Sequence, residues 1–357
     1  MLDEERVKKL PKVELHYHLD GGVRPETIVE LAGEIGMDLP ETEPGRLAEW
    51  FHRGADRKSL SLYLEGFALT CGIMQTASAL TRIAREALEQ LKEDGVVYGE
   101  IRFAPILHQA KGLTLEEIVH AVVAGLEEGR KKTGVEFGVI LCAMRHQSGD
   151  LSMEMAELAV SFRDRGVVGF DIAGDEFGHP PKRHLEAFEY IRRKNFNITI
   201  HAGEAFGVES IWQAIQICGA HRIGHATRLT EDMTVQGKEI KQMGTLSHFI
   251  RDRRIPLEIC LSSNIQTGAA SSIEGHPFGL YYNNNFRVML CTDNVLMSNT
   301  TLTKEMMLAI EAFGLELDDL EKLTINAMKS AFIHYDERLK LIYDVIKPGY
   351  KAIAGEK

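Results

Sequence analysis

The feature that most constrains this 357-residue chain is a repeated alternation between short apolar runs and longer amphipathic stretches. Short runs of this kind predict buried strands, whereas the stretches between them have the hydrophobic spacing of helices. Strands that are separated by helices must be joined by parallel crossovers. Eight such runs occur, at positions 12–18, 96–103, 135–142, 167–173, 196–201, 221–225, 256–262 and 286–293.

The number of these strand–helix units indicates the fold class. Eight units can close into an α/β fold of the (β/α)₈ TIM-barrel type, which is the fold that we predict. An open, doubly wound sheet requires the same alternation and is the alternative. Helix ends support the pattern, because Thr114 and Glu117 form a capping box before an apolar helical stretch and Gly134 follows its end.

The segment between the first two strands is longer than a simple crossover. Residues 24–95 show helical periods at 25–36 and 77–94 around an irregular centre. Barrels of this type reach this chain length as one unit, so the residue count does not require a second domain. We therefore predict a single domain over 1–357, in which residues 24–95 form a helical insertion that caps the barrel mouth.

The net charge and the cysteines of the chain indicate which binding partners and which cellular compartment to expect. The chain has 41 Lys and Arg against 52 Asp and Glu, a net charge of −11, which disfavours binding to a phosphate backbone. The five cysteines form no C-x-x-C pair, and the charged N-terminus resembles no export signal. We expect a cytoplasmic protein that binds a small molecule and neither nucleic acid nor membrane. The oligomeric state stays open.

Histidines and an aspartate stand at the ends of several predicted strands. His16 and His18, in "PKVELHYHLDGG", have the period-two spacing that turns both side chains to one face of a strand. His201, His225 and Asp293 end three further runs, and barrel enzymes place their catalytic groups at such strand ends. Imidazole and carboxylate are ligands of zinc and similar divalent metals. The predicted metal ligands are His16, His18, His201 and Asp293.

A divalent metal at this position predicts hydrolysis, because it lowers the pKa of its water toward neutrality. Glu204 follows His201 by three residues and can serve as proton donor or acceptor beside the metal. His225, on the neighbouring strand, is predicted to orient and deprotonate the attacking water without binding the metal.

Seven motifs together resemble those of the adenosine deaminases, a purine aminohydrolase family among the metal-dependent amidohydrolases. They cover nearly the whole chain and read "PKVELHYHLDGG", "FDIAGDE", "IHAGE", "RIGHA", "SSNIQTGA", "CTDN" and "LTINAMKSAF". The resemblance implies a (β/α)₈ barrel with one zinc ion per chain. It also implies hydrolytic deamination of a purine nucleoside, adenosine or 2′-deoxyadenosine, to its inosine product and ammonia.

The resemblance assigns roles to single residues. It places the zinc on His16, His18, His201 and Asp293, and it makes Glu204, His225 and Asp293 the catalytic residues. Glu204 would protonate purine N1, and His225 would face the hydrolytic water. The substrate would be contacted by His18, by Asp20 at the ribose 5′-hydroxyl, by the Gly174 N–H at purine N3 and by Asn294 at N7. Asn294 departs from the family, which usually has aspartate there, but its amide keeps a hydrogen-bond donor.

Two related activities are alternatives to this interpretation. The first is an adenine deaminase, and the second is another amidohydrolase with one metal. Many amidohydrolases hold two metals on a carboxylated lysine at the end of the fourth strand, but the chain has "FDIAGDE" there, without lysine. A single metal is therefore favoured.

Overall fold

The strands occur in the runs that the sequence predicted, with one hairpin in addition. The computed structural model describes residues 2–355, and its strands are β1 (Lys12–His18), β2 (Val96–Phe103), β3 (Glu136–Met144), β4 (Val167–Ala173), β5 (Asn197–Ala202), β6 (Arg222–His225), β7 (Met233–Gln236), β8 (Glu239–Met243), β9 (Leu257–Ile259) and β10 (Val288–Leu290). Strands β1, β2 and β4 have the predicted bounds, whereas β9 and β10 occupy only three residues of their runs.

The eight barrel strands form one parallel sheet in the order β1-β2-β3-β4-β5-β6-β9-β10. A parallel bridge between Tyr17 and Asp293 joins the first strand to the chain just after the last one. The His18 N–H donates to the Asp293 carbonyl at 2.9 Å, and the Asp293 N–H donates to the His16 carbonyl at 2.8 Å. These bonds close the ring, so the predicted barrel is confirmed and the open sheet is excluded.

Helices lie between the barrel strands and in the long segment that joins β1 to β2. In the described residues the α-helices are α1 (Glu4–Lys9), α2 (Pro25–Ile35), α3 (Pro44–Ala55), α4 (Leu60–Tyr63), α5 (Phe67–Ile73), α6 (Ala77–Glu93), α7 (Leu115–Thr133), α8 (Gly149–Ser161), α9 (Leu185–Arg193), α10 (Val208–Trp212), α11 (Thr245–Asp252), α12 (Leu261–Gln266), α13 (Phe278–Asn283), α14 (Val295–Ser298), α15 (Leu302–Phe313), α16 (Leu317–Ser330), α17 (Tyr335–Lys340) and α18 (Lys347–Gly355). None of these helices has both the length and the apolarity of a membrane-spanning segment.

Shorter helical pieces connect several of these elements. Five are 3₁₀ turns, at Leu64–Gly66, Pro105–His108, Arg163–Arg165, Pro181–His184 and Thr227–Asp232, and two are π-helical, at Gln213–Ile217 and Leu341–Ile346. The predicted capping box is present at the start of α7, where the Glu117 N–H donates to Thr114 Oγ1 at 3.2 Å and the Thr114 N–H donates to Glu117 Oε2 at 2.9 Å. Gly134 ends α7 with a positive φ of 75°.

The segment between β1 and β2 is more helical than the sequence predicted. Helices α3, α4 and α5 occupy the centre that we expected to be irregular. Helices α4 and α5 are too short to sustain a detectable period, whereas α3 has twelve residues with Leu47, Phe51 and Ala55 buried at a spacing of four, a period that the sequence analysis missed. A hydrogen bond of 2.6 Å from Thr27 Oγ1 to Glu86 Oε2 joins α2 to α6. The hydroxyls of Tyr63 and Ser298 lie 2.9 Å apart and hold α4 against α14.

Strands β7 and β8 form an antiparallel hairpin that the sequence analysis did not predict. Most of its residues are exposed, and its turn contains Gly237 with a positive φ of 61°. The hairpin has little buried apolar surface, so it lacks the alternation that marks a half-buried strand.

The barrel interior contains a buried network of charged side chains. Arg102, on β2, contacts Asp171 of β4 at 2.8 Å and Glu258 of β9 at 2.9 Å. Arg222, on β6, donates through Nε to Glu258 at 2.7 Å and through Nη2 to Glu100. All five side chains are inaccessible or nearly so. Each charge has an opposite partner, which is the condition for burying ions inside a protein.

Candidate active site

Three histidines and one aspartate meet at the carboxyl end of the barrel. His16 and His18 lie on β1, His201 lies on β5, and Asp293 follows β10. The Nε2 atom of His201 is 3.0 Å from Nε2 of His16 and 3.1 Å from Nε2 of His18. Asp293 Oδ1 lies 3.4 Å and 3.3 Å from the same two nitrogens of His16 and His18. The structure thus brings together all four predicted metal ligands.

The spacing of these donor atoms fits a divalent metal. Tetrahedral zinc with bonds of about 2.0–2.1 Å has ligand atoms roughly 3.3 Å apart. The four measured separations, from 3.0 to 3.4 Å, bracket that value. Four lone-pair donors that face one point repel each other unless a cation lies between them. The cluster could therefore hold a metal ion.

Two carboxylates that the sequence analysis missed fix the outer nitrogens of these histidines. Glu258 Oε2 lies 2.8 Å from Nδ1 of His16, and Asp171 Oδ2 lies 3.0 Å from Nδ1 of His201. Such partners keep the proton on Nδ1 and leave the Nε2 lone pair for a metal. Burial opposes ionisation, but Arg102 and Arg222 hold the pKa of Glu258 well below its usual value. A charged residue inside an apolar run was the available signal.

Glu204 lies on the loop that follows β5, and its carboxyl group is buried beside the cluster. Thr267 Oγ1 donates to Glu204 Oε1 at 3.0 Å, and Nε2 of His225 lies 3.6 Å from Glu204 Oε2. Burial raises the pKa of Glu204 to about 8, and the charge of Asp293 acts in the same direction. The carboxyl group is therefore protonated near neutral pH and can donate a proton.

The loop that carries Glu204 is held by a second carboxylate, that of Glu176. Its oxygens accept hydrogen bonds of 2.7–3.0 Å from four consecutive backbone N–H groups, those of Gly203, Glu204, Ala205 and Phe206. The Ser210 hydroxyl donates to the same carboxylate at 2.5 Å. Glu176 ends the motif "FDIAGDE", and sequence reasoning gave it no role because its partners lie about thirty residues away.

His225 ends β6 in an unusual backbone conformation. Its φ is 68° and that of Ala226 is 52°, values that residues with a Cβ seldom adopt. The Tyr281 hydroxyl stabilises this turn by donating to the carbonyls of Ala226 and Thr227, at 3.0 and 3.2 Å. Burial lowers the pKa of His225 to about 4, so its imidazole is neutral at physiological pH. The strained turn aims the ring into the site.

A cavity of about 440 Å³ opens above the cluster. It is lined by the predicted substrate contacts His18, Asp20, Gly174 and Asn294, together with Glu204, His225 and apolar side chains. Gly174 has a positive φ of 100°, which favours glycine there. The volume lies in the range of small-molecule sites, and a few polar groups among apolar walls are typical of such sites.

Two buried oxygens in this cavity lack a protein partner. Asp20 Oδ1 and Asn294 Oδ1 have no hydrogen-bond partner among residues 2–355. Burial raises the pKa of Asp20 to about 6. Gly21 leaves room for Asn294 Oδ1, because a Cβ at position 21 would lie 1.9 Å from that oxygen. Unsatisfied buried polar atoms are uncommon in native proteins, so the polar groups of a ligand are a natural complement.

Comparison with known proteins agrees with this geometry. The sequence model of the adenosine deaminase family matches residues 11–348. Adenosine deaminase 1 of Streptomyces coelicolor is 54% identical over 358 residues, which cover 99% of this chain and 90% of that protein.

Solved structures also resemble the chain. Arabidopsis ADAL complexed with GMP has a TM-score of 0.82 at 28% identity, covering 99% of this chain and all of that one. Adenine deaminase of Arthrobacter aurescens has a TM-score of 0.86 at 22% identity, covering 96% and 99%, and it shares the fold. The chain belongs to the adenosine deaminase family, and this confirms the predicted class of enzyme, a hydrolase that deaminates adenosine.

Proposed function

We propose that the protein uses one zinc ion per chain to convert adenosine and 2′-deoxyadenosine to their inosine products and ammonia, in purine salvage. The convergence of His16, His18, His201 and Asp293 is the observation that carries the proposal, because His18, His201 and Asp293 of this cluster also line the cavity. Zinc held by these side chains would lower the pKa of a water toward neutrality and supply a nucleophile.

Glu204 has the properties of the proton donor. Its carboxyl group is buried, and its raised pKa of about 8 keeps it protonated at physiological pH. Donation of this proton to purine N1 makes C6 more electrophilic, so water can attack there. His225 and Asp293 border the same part of the cavity, and we assign them to the attacking water.

The polar groups of the cavity match those of a purine nucleoside. We assign the Asp20 carboxylate to the ribose 5′-hydroxyl, the Gly174 N–H to purine N3 and Asn294 to N7, while His18 borders the reacting end. The unpartnered Asp20 Oδ1 supports the first of these assignments. N7 is an acceptor, so the contact assigned to Asn294 would use its amide N–H₂.

Residues 24–95 supply part of the cavity wall. Leu60, Tyr63 and Phe67 line the cavity opposite the strand ends. We propose that the chain works as one domain, in which residues 24–95 cover the mouth and exclude bulk solvent from the site. We also propose a cytoplasmic location, which is supported by five free cysteine thiols.

Release of ammonia from adenosine by the zinc-loaded protein tests the proposal, with adenine and cytidine as comparison substrates. We expect turnover of adenosine and little turnover of the other two. A preference for adenine would favour the alternative activity, since adenine has no 5′-hydroxyl for Asp20. Absence of ammonia release from adenosine would contradict the proposal.

A further inference from the structure

A chain of hydrogen bonds leads from the backbone of α13 to the ring of His225. It begins at Phe278, whose backbone N–H donates to Nδ1 of His276 at 3.0 Å. Nδ1 of His276 is therefore an acceptor without a proton. In a neutral imidazole the other nitrogen then carries the hydrogen, so Nε2 of His276 is a donor.

The next link fixes the orientation of the Asn264 amide. Nε2 of His276 lies 3.1 Å from Asn264 Oδ1, and Thr227 Oγ1 donates to the same oxygen at 3.3 Å. The reverse orientation would place the amide N–H₂ against the N–H of His276, two donors in contact. The amide nitrogen of Asn264 therefore faces Nδ1 of His225, at 3.0 Å.

The last link determines the tautomer of His225. An amide N–H₂ can only donate, so Nδ1 of His225 must accept and its hydrogen lies on Nε2. Nε2 points into the cavity, where Glu204 Oε2 lies 3.6 Å away. Asn264, His276 and His225 are all buried, so water does not compete for these bonds.

We propose that Asn264 and His276 are positioning residues that hold His225 as its Nε2–H tautomer, so that His225 donates a hydrogen bond to the attacking oxygen and cannot accept its proton. The only lone pair of the ring is occupied by Asn264 and faces away from the cavity. This refines the sequence-based expectation that His225 orients and deprotonates the water, since only the first role is compatible with this network.

The tautomer can be measured without substrate. Long-range ¹H–¹⁵N correlation spectra of the zinc-loaded, full-length protein, labelled with ¹⁵N-histidine, distinguish the two ring nitrogens, and a His225→Gln variant assigns the signal. We expect His225 to have a protonated Nε2 and an unprotonated Nδ1. A hydrogen on Nδ1 of His225 would overturn the proposal, whatever the substrate of the enzyme is.

The Asn264→Leu variant tests the chain of hydrogen bonds itself. Only its kinetic measurement depends on the proposed deamination. We expect His225 to lose its single tautomer and kcat to fall about tenfold, with little change in KM or zinc content. Asn284→Leu, at the end of α13, is the matched control and should leave both unchanged. Retention of the Nε2–H signal and of kcat in Asn264→Leu would contradict a positioning role. If that variant does not fold, the spectrum of the unmodified protein decides.

Discussion

The carboxylate of Glu258 lies 2.8 Å from Nδ1 of His16, and both side chains are completely buried. Removing its charge in Glu258→Gln should lower zinc affinity by about 10–100-fold, because such partners raise the basicity of a ligand histidine. Competition with a chelator measures the change. The control Glu128→Gln, on the exposed surface of α7, should bind zinc normally. Unchanged affinity in Glu258→Gln would show that the contact does not support the metal.

The Glu204→Gln variant should lower kcat by about two orders of magnitude or more, since a positioned acid contributes this much. Its zinc content should not change. In the unmodified protein the proton donor is the protonated form of Glu204, whose pKa is raised to about 8, so its contribution to activity should be complete well below pH 8 and be lost as the pH rises through that value. A pH–rate profile measures this decline. Exposed Glu209→Gln is the control, and near-normal turnover of Glu204→Gln would remove Glu204 from the mechanism.

The Glu176→Gln variant should disturb the loop that carries Glu204. In glutamine an amide N–H₂ replaces one of the two carboxylate oxygens. Backbone N–H groups that donate to that oxygen in the unmodified protein would then face another donor. We expect kcat to fall at least about tenfold and the free energy of unfolding to fall by roughly 1–3 kcal/mol. Kinetics and denaturant unfolding measure both quantities. The exposed Glu186→Gln should change neither, and wild-type kinetics in Glu176→Gln would contradict the anchoring role.

The proposed contact between Asp20 and the ribose 5′-hydroxyl predicts that the enzyme distinguishes two nucleosides that differ by this hydroxyl. We expect adenosine to have a specificity constant, kcat/KM, about tenfold higher than its 5′-deoxy analogue, because the buried carboxylate loses its hydroxyl partner in the analogue. In Asp20→Ala this difference should shrink, since no carboxylate is left unpaired. Equal specificity constants for both nucleosides in the unmodified protein would argue against contact with the 5′-hydroxyl.

The proposed contact between Asn294 and purine N7 predicts that the enzyme binds purines with nitrogen at this position more tightly than those with carbon. Its amide donates at any working pH, so 7-deazaadenosine, which has carbon at this position, should bind more weakly by roughly 1–3 kcal/mol. Inhibition constants measured against adenosine give this difference. Asn294→Ala should bind both nucleosides with similar affinity. If 7-deazaadenosine binds the unmodified protein as tightly as adenosine, Asn294 does not contact N7.

The sequence predicts the elements and residues whose signal is local. The runs of β1 and β4, and the position of His201 at a strand end, follow from alternation between apolar and polar residues. Glu258, Glu176 and Asn264 are different, because their functions depend on partners far away in the sequence. A carboxylate within an apolar run signals that it has a buried partner, but the sequence does not identify that partner, because only the closed barrel brings the two together.

The bridge between Tyr17 and Asp293 has a consequence for the order of assembly. It pairs residues far apart in the sequence, and because closing so long a loop has a large entropic cost, we expect this contact to form late in folding. His16 and Asp293 lie on the two sides of this seam. A complete ligand set therefore exists only after the ring has closed, so a metal that binds all four side chains selects the finished barrel and leaves its partly folded precursors without a full coordination site.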